Sequence, residues 1–201
     1  MEFRELLKRR RMVRHYLPEP VPDDALERIV ATVRRAPSAG FSQGQRLLVV
    51  TDPELLDALG AGEAAERPEG AEPWFPSAAA HIFVLTREED YHERYRSPDK
   101  LQDGAEIEWP VPFWLVDAGA ALMLVLLAAI DEGLAAGVYG VPVELEPTVR
   151  TLLAVPDDLT IVAGITLGKP APDPGWSRVT SRATQRRRGI DELVRWQRWT
   201  S

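Results

Sequence analysis

The chain has 201 residues, 45% of them hydrophobic and 27% charged, with a formal net charge of −7 at pH 7. That composition supports one folded domain with a real core and excludes a chain that is disordered throughout. The lack of cysteine excludes a disulfide, a thiolate metal site and a cysteine nucleophile, and the acidic balance argues against nucleic acid as a partner.

Met1 to Arg14 is charged and holds no apolar run of signal-peptide type. Phe3 to Arg11 reads as a short helix, with Phe3, Leu6 and Leu7 as its apolar stripe. Leu17 to Pro22 is extended, because each proline biases the residue before it away from helix. Asp23 is a fair N-cap for a second helix that buries Leu26, Ile29, Val30 and Val33 and ends before Pro37. Leu47 to Thr51 reads as a buried strand, and Pro53 to Leu59 as a short helix with proline in its first turn.

Ala61 to Ser77 is expected to be a surface loop, and His81 to Thr86 a second strand. Arg87 to Phe113 reads as polar, aromatic and irregular, a lid-like insert. Leu115 to Leu134 is the long central helix, apolar on nearly every face and so expected to be buried on all sides. Its longest apolar run, Ala118 to Ile130, is too short to cross a bilayer. The expectation is therefore a cytoplasmic protein with no membrane partner. Glu146 to Ala154 reads as a helix, Leu159 to Leu167 as a strand, and Ile190 to Trp199 as a short helix. The fold class expected is α+β, layered, in one domain spanning residues 1–201 with an arm over 170–201.

Three stretches carry candidate chemistry. In Arg9-Arg10-Arg11-Met12-Val13-Arg14, helical spacing would place like charges side by side at a cost of about 0.2–0.5 kcal/mol per pair. A bound phosphate would reverse that cost, since arginine forks match phosphate oxygens; a basic helix terminus is the alternative. Positive charge also clusters at Arg178, Arg182 and Arg186 to Arg188, so the two ends either fold around one anion or form separate solvated patches. Ala36 to Gly44 is rich in small residues that let a backbone approach a flat ligand, or it is an ordinary helix-to-strand loop. Asp117-Ala118-Gly119 opens the central helix, and Gly133 to Pro142 follows it. Gly133 reads as a C-cap, and Gly137 and Gly140 leave backbone N–H groups unobstructed.

The order of these pieces resembles the nitroreductase family of FMN enzymes. The shared pattern runs through Arg11-Met12-Val13-Arg14-His15-Tyr16, then Pro37 to Gln43, then Asp117-Ala118-Gly119. It continues through Gly133 to Gly140, then Leu167-Gly168-Lys169-Pro170, and closes on Arg186-Arg187-Arg188-Gly189. The resemblance implies a nitroreductase-like fold, a central mostly antiparallel sheet flanked by helices. It also implies an intertwined homodimer with a long interface helix and a C-terminal arm, carrying Trp196 and Trp199, that wraps the partner.

It further implies tightly held FMN, NAD(P)H as co-substrate, and a small conjugated electron acceptor such as a nitroaromatic or quinone. Arg10, Arg11 and Arg14 resemble the groups that hold the FMN phosphate and ribityl chain, with Met12 among them and an arginine of Arg186, Arg187 and Arg188 closing the site. Pro37, Ser38, Ala39, Phe41 and Gln43 resemble the segment that touches the flavin from the other subunit. Val138, Tyr139 and Gly140 resemble the turn over the ring, with the Gly140 N–H toward flavin N5. Phe41, Trp109, Phe113 and Trp114 are the candidate substrate pocket. Many relatives have Asn at the position of Phe41 and Ser at that of Met12, and Val138 replaces the usual tryptophan.

Two other readings remain open at this level: a flavin- or deazaflavin-binding protein without efficient turnover, and a specialised biosynthetic dehydrogenase or flavin-fragmenting enzyme. Gly60-Ala61-Gly62-Glu63-Ala64-Ala65 fits a dinucleotide-binding spacing but follows a helix, not the strand that such a turn requires. His15, His81 and His92 lack metal-ligand spacing, so no metal is expected.

Overall fold

The strand β2 (Ala80–Thr86) is buried along its whole length because it has neighbours on both edges and helices on both faces. The computed structural model describes residues 2–65, 78–172 and 187–199, which fall in two compact units, Met1–Ala171 and Pro172–Ser201. In the first unit β2 pairs antiparallel with β1 (Gln45–Val50) and with β4 (Thr160–Gly168), and β4 pairs antiparallel with β3 (Ala135–Tyr139). The sheet order is β1-β2-β4-β3.

Successive side chains on a strand point to opposite faces. On β2, Ala80, Ile82 and Val84 enter one core, and Phe83 and Leu85 enter the other. The first core is closed by α2 (Asp23–Ala31), through Ala25, Leu26 and Ile29, and by α5 (Phe113–Asp131), through Ala118, Val125, Leu126 and Ala129. The second is closed by α3 (Pro53–Ala65), through Leu59, and by α6 (Glu146–Leu153), through Val149, with Leu145 and Val155 beside it. The result is an α+β three-layer arrangement, as expected from the sequence.

Several elements differ from the sequence reading. Helix α1 spans Phe3–Arg9 and stops before the arginine run is complete. Asp23 begins α2, whose N-cap is Pro22. Helix α3 continues through Gly60 and Gly62 to Ala65, so the dinucleotide-like spacing lies inside a helix. The insert is not irregular throughout: it contains α4 (Glu89–Tyr95). Gly133 does close α5, at φ +75°, but Leu134 lies beyond the helix and the next segment is the strand β3.

Helix α5 is not buried on all sides within one chain. Leu115, Val116 and Met123 are 40%, 53% and 42% exposed, and Gly119 between them is exposed too. At 19 residues it is also long and apolar enough to cross a membrane by length and composition. Here its other face packs on the sheet and on the Thr32–Arg35 turn. The second unit contributes α7 (Ile190–Leu193), shorter than expected, with Ile190, Leu193, Trp196 and Trp199 all exposed.

Candidate active site

The arginine segment is laid against the end of the sheet by main-chain bonds. The amide of Val13 donates to the Ala136 carbonyl at 3.1 Å, Leu17 donates to Lys169, and Ala171 donates to His15. The contact is close: a Cβ on Gly137 would sit 2.3 Å from the Val13 carbonyl oxygen. Only glycine at 137 allows the segment to lie there.

Tyr16 pins the same junction from within. Its hydroxyl donates to the Val13 carbonyl at 2.7 Å and lies 2.8 Å from Thr166 Oγ1, which in turn is 3.2 Å from the Gly137 carbonyl. Burial pushes this hydroxyl far above the ordinary tyrosine range, so it stays a donor. Arg10 is the C-cap residue of α1 with extended ψ, so Arg10 and Arg14 are not helical neighbours as their spacing suggested. Arg11 is exposed, and Arg10, Met12 and Arg14 are half-buried beside β3.

The turn after β3 resolves into inward and outward parts. Tyr139 is 8% exposed and points into the core, its hydroxyl 2.9 Å from His81 Nδ1 and its ring over Gly164. Only its backbone is available to a ligand. Gly140 is exposed, with open space where a Cβ would be, and Val138 is half-buried at the rim of the first core.

A second group forms around the loop from Pro37 to Gly44. Gly40, Phe41 and Gln43 have φ of +60°, +61° and +55°. For residues with a Cβ that conformation costs about 1–2 kcal/mol each, so it persists only where neighbours hold it. Asp117 accepts the Ala39 N–H at 2.8 Å, Arg94 Nε donates to the Gly40 carbonyl at 2.9 Å, and Ser38 Oγ accepts the Gln43 N–H at 2.7 Å. Pro37 accepts from the Gln45 side chain. Held so, the Phe41 ring is 74% exposed.

Behind the loop, α4 packs through Tyr91 and Tyr95; a Cβ on Gly44 would lie 2.4 Å from the Tyr91 ring, and one on Gly40 2.5 Å from that of Tyr95. Trp109, Phe113 and Trp114 join Tyr91, His92 and Tyr95 in one aromatic cluster, with Tyr95 and Trp109 centroids 4.5 Å apart. Glu106 fastens it, accepting from Trp109 Nε1 at 2.8 Å and Arg96 Nε at 3.0 Å, and lying 2.5 Å from His92 Nδ1.

The structure thus lays the arginine segment, through Val13, on Ala136 and Gly137 of the strand that ends in Val138 and Tyr139, and separately brings Pro37 to Gln43 together with the aromatic insert. Arg187 and Arg188 are exposed in the second unit, and Arg186 lies outside the described residues. Sequence reasoning missed Asp117, Tyr91 and Arg94 as the residues that hold the loop. The available signal was a carboxylate, Asp117, followed by thirteen uncharged residues of an apolar helix.

A profile of the Nitroreductase family matches residues 7–169, from α1 through the end of β4. An oxygen-insensitive NADPH nitroreductase of Salmonella typhimurium is 30% identical over 172 residues, covering 85% of this chain and 66% of that protein. The 5,6-dimethylbenzimidazole synthase of Rhodobacter capsulatus is 29% identical over 174 residues, covering 83% and 82%. Among solved structures, an FMN-dependent nitroreductase of Clostridium difficile R20291 superposes with a TM-score of 0.68 at 20% identity, covering 96% of this chain and 98% of that one. The profile match takes in the arginine segment, the small-residue loop and the glycine turn, and this chain belongs to the nitroreductase family.

Proposed function

We propose that the protein is a homodimeric, cytoplasmic FMN-dependent oxidoreductase that passes two electrons from NAD(P)H to a small conjugated acceptor, a nitroaromatic, quinone or similar molecule, in ping-pong order. One observation carries the reading: the Val13–Ala136 bond lays the arginine-rich segment along β3, the strand that leads into an exposed glycine turn. That donor set suits a phosphate on a flat ring system. Arginine forks match phosphate, and an unobstructed backbone N–H at Gly140 suits a ring nitrogen that gains charge.

Bound FMN supplies the redox chemistry, and the protein supplies placement and exclusion of water. Arg10, Arg11 and Arg14 would hold the phosphate end. The Gly140 N–H is the donor at N5, and Tyr139 fixes that turn from the core side. Pro37 to Gln43 reaches the ring from the partner subunit. Two surfaces support the dimer: the uncovered apolar face of α5 around Val116 and Met123, and the exposed Trp196 and Trp199 of the arm.

The test is to purify the protein without added cofactor and record its visible spectrum. A yellow protein whose denatured supernatant yields FMN, and which oxidises NAD(P)H with menadione, is expected. A colourless, monomeric protein overturns the proposal. The similarity to a 5,6-dimethylbenzimidazole synthase keeps a flavin-fragmenting activity as a second reading. Its mark is loss of flavin absorbance under oxygen and reductant.

A further inference from the structure

Asp117 is a carboxylate only 5% exposed, within an apolar helix, and among the described residues no cation pairs with it. Burying a charge in such a place is costly unless hydrogen bonds replace the lost water. Two donors reach the same oxygen, Oδ2: the Ala39 N–H and the Tyr91 hydroxyl, each at 2.8 Å. Tyr91 is fully buried, and its ring lies against Gly44 at the end of the loop. Ser38 Oγ accepts the Gln43 amide.

One carboxylate therefore holds the left-handed loop at two points, directly at Ala39 and through Tyr91, whose ring backs Gly44, while Ser38 Oγ closes the loop on the Gln43 amide. A charged acceptor makes bonds roughly twice as strong as a neutral one, which is what a strained loop needs. Held this way, the loop turns its one large apolar side chain, Phe41, into solvent.

We propose that Asp117 is a positioning residue: acting through Ala39 and Tyr91, it fixes the Ser38–Gln43 loop so that the Phe41 ring stands as an apolar wall on which a planar, conjugated acceptor stacks. The proposal rests on the flavoenzyme reading above for its acceptor and on the geometry alone for the loop. It makes Phe41 the selector for flat aromatic acceptors and Asp117 the residue that keeps the selector in place.

The test is a double-mutant cycle with FMN-loaded protein and menadione as acceptor. Phe41→Ala and Asp117→Asn are each expected to raise the menadione KM about tenfold, and the double variant about tenfold rather than a hundredfold. Phe41→Trp, which keeps a ring, is expected to restore the wild-type KM. A structural role alone would lower kcat and FMN content together and would not be rescued in this way.

Tyr91→Phe provides a milder break in the same chain of bonds. It and Asp117→Asn are expected to speed hydrogen exchange in the 38–44 peptide about tenfold, in protein with or without FMN. Additive KM effects, or unchanged exchange in the loop, overturn the proposal. A colourless wild type would remove the flavoenzyme reading and leave the exchange experiment to decide the role of Asp117.

Discussion

The amide of Val13 and the carbonyl of Ala136, 3.1 Å apart, join two segments more than a hundred residues distant in the chain and so lay the arginine segment along β3. Arg14→Ala is expected to lower FMN affinity at least tenfold, about 1.4 kcal/mol, while far-ultraviolet circular dichroism stays unchanged. Equilibrium dialysis with FMN measures it. Full flavin occupancy in the variant would remove Arg14 from the phosphate site.

Tyr16→Phe deletes the hydroxyl that serves Val13 and Thr166. Leaving buried partners unmade costs about 1–3 kcal/mol, and a chain of this size loses roughly 2–4 °C of thermal midpoint per kcal/mol. Calorimetry of the purified variant reads the change. A loss within error would mean that water replaces the hydroxyl.

Gly164→Ala would put a Cβ 2.0 Å from the Tyr139 ring. The ring must then leave its place against His81, at a cost of about 1–3 kcal/mol or more. Trimming the ring as well, in Gly164→Ala/Tyr139→Leu, should cost less than the two single changes added together. Urea midpoints of the four proteins give the comparison.

The insert should respond to pH through His92 and Glu106. The bond to Glu106 raises the His92 pKa above its ordinary 6.5, against desolvation and with help from Glu88. Trp109 first, and then His92, hold the Glu106 pKa below 4.5. A raised histidine gives its full stabilisation below about pH 6.5 and loses it as pH climbs through the raised value; a depressed carboxylate gives its share above about 4.5 and loses it on acidification. The insert is thus tightest between those limits. The thermal midpoint of wild type minus that of His92→Gln should be larger near pH 5.5 than near pH 8.5. Equal differences would show that the pair does not hold the insert.

Val116→Glu puts a charge on the uncovered face of α5, where Val116 is 53% exposed in the single chain. If that face is the subunit seam, sedimentation should show monomers, and flavin should be lost with the dimer. A variant that stays dimeric and yellow would move the seam elsewhere.

How far the sequence could be read depended on what decided each element. Strands β2 and β4 announce themselves through β-branched and apolar runs, and Gly133 marks the end of α5 by chemistry local to it. Strand β3, Ala135-Ala136-Gly137-Val138-Tyr139, has little intrinsic strand preference. It is a strand because β4 and Val13 supply its hydrogen bonds. Helix α4 is a short charged stretch held by ion pairs from elsewhere, Arg87 and Arg46 to Asp90 among them. The loop from Pro37 to Gln43 was recognisable from its small residues. Its left-handed course was not, because Asp117 and Arg94, which enforce it, lie far away in the chain.

The bonds from Leu17 to Lys169 and from Ala171 to His15 also order events in time. During synthesis the first basic residues leave the ribosome long before the strand that anchors them exists. If the protein holds FMN as proposed, a nascent chain halted ahead of β4 should have no means of retaining it, however complete its arginines. Cofactor capture would then act as a checkpoint on finished translation.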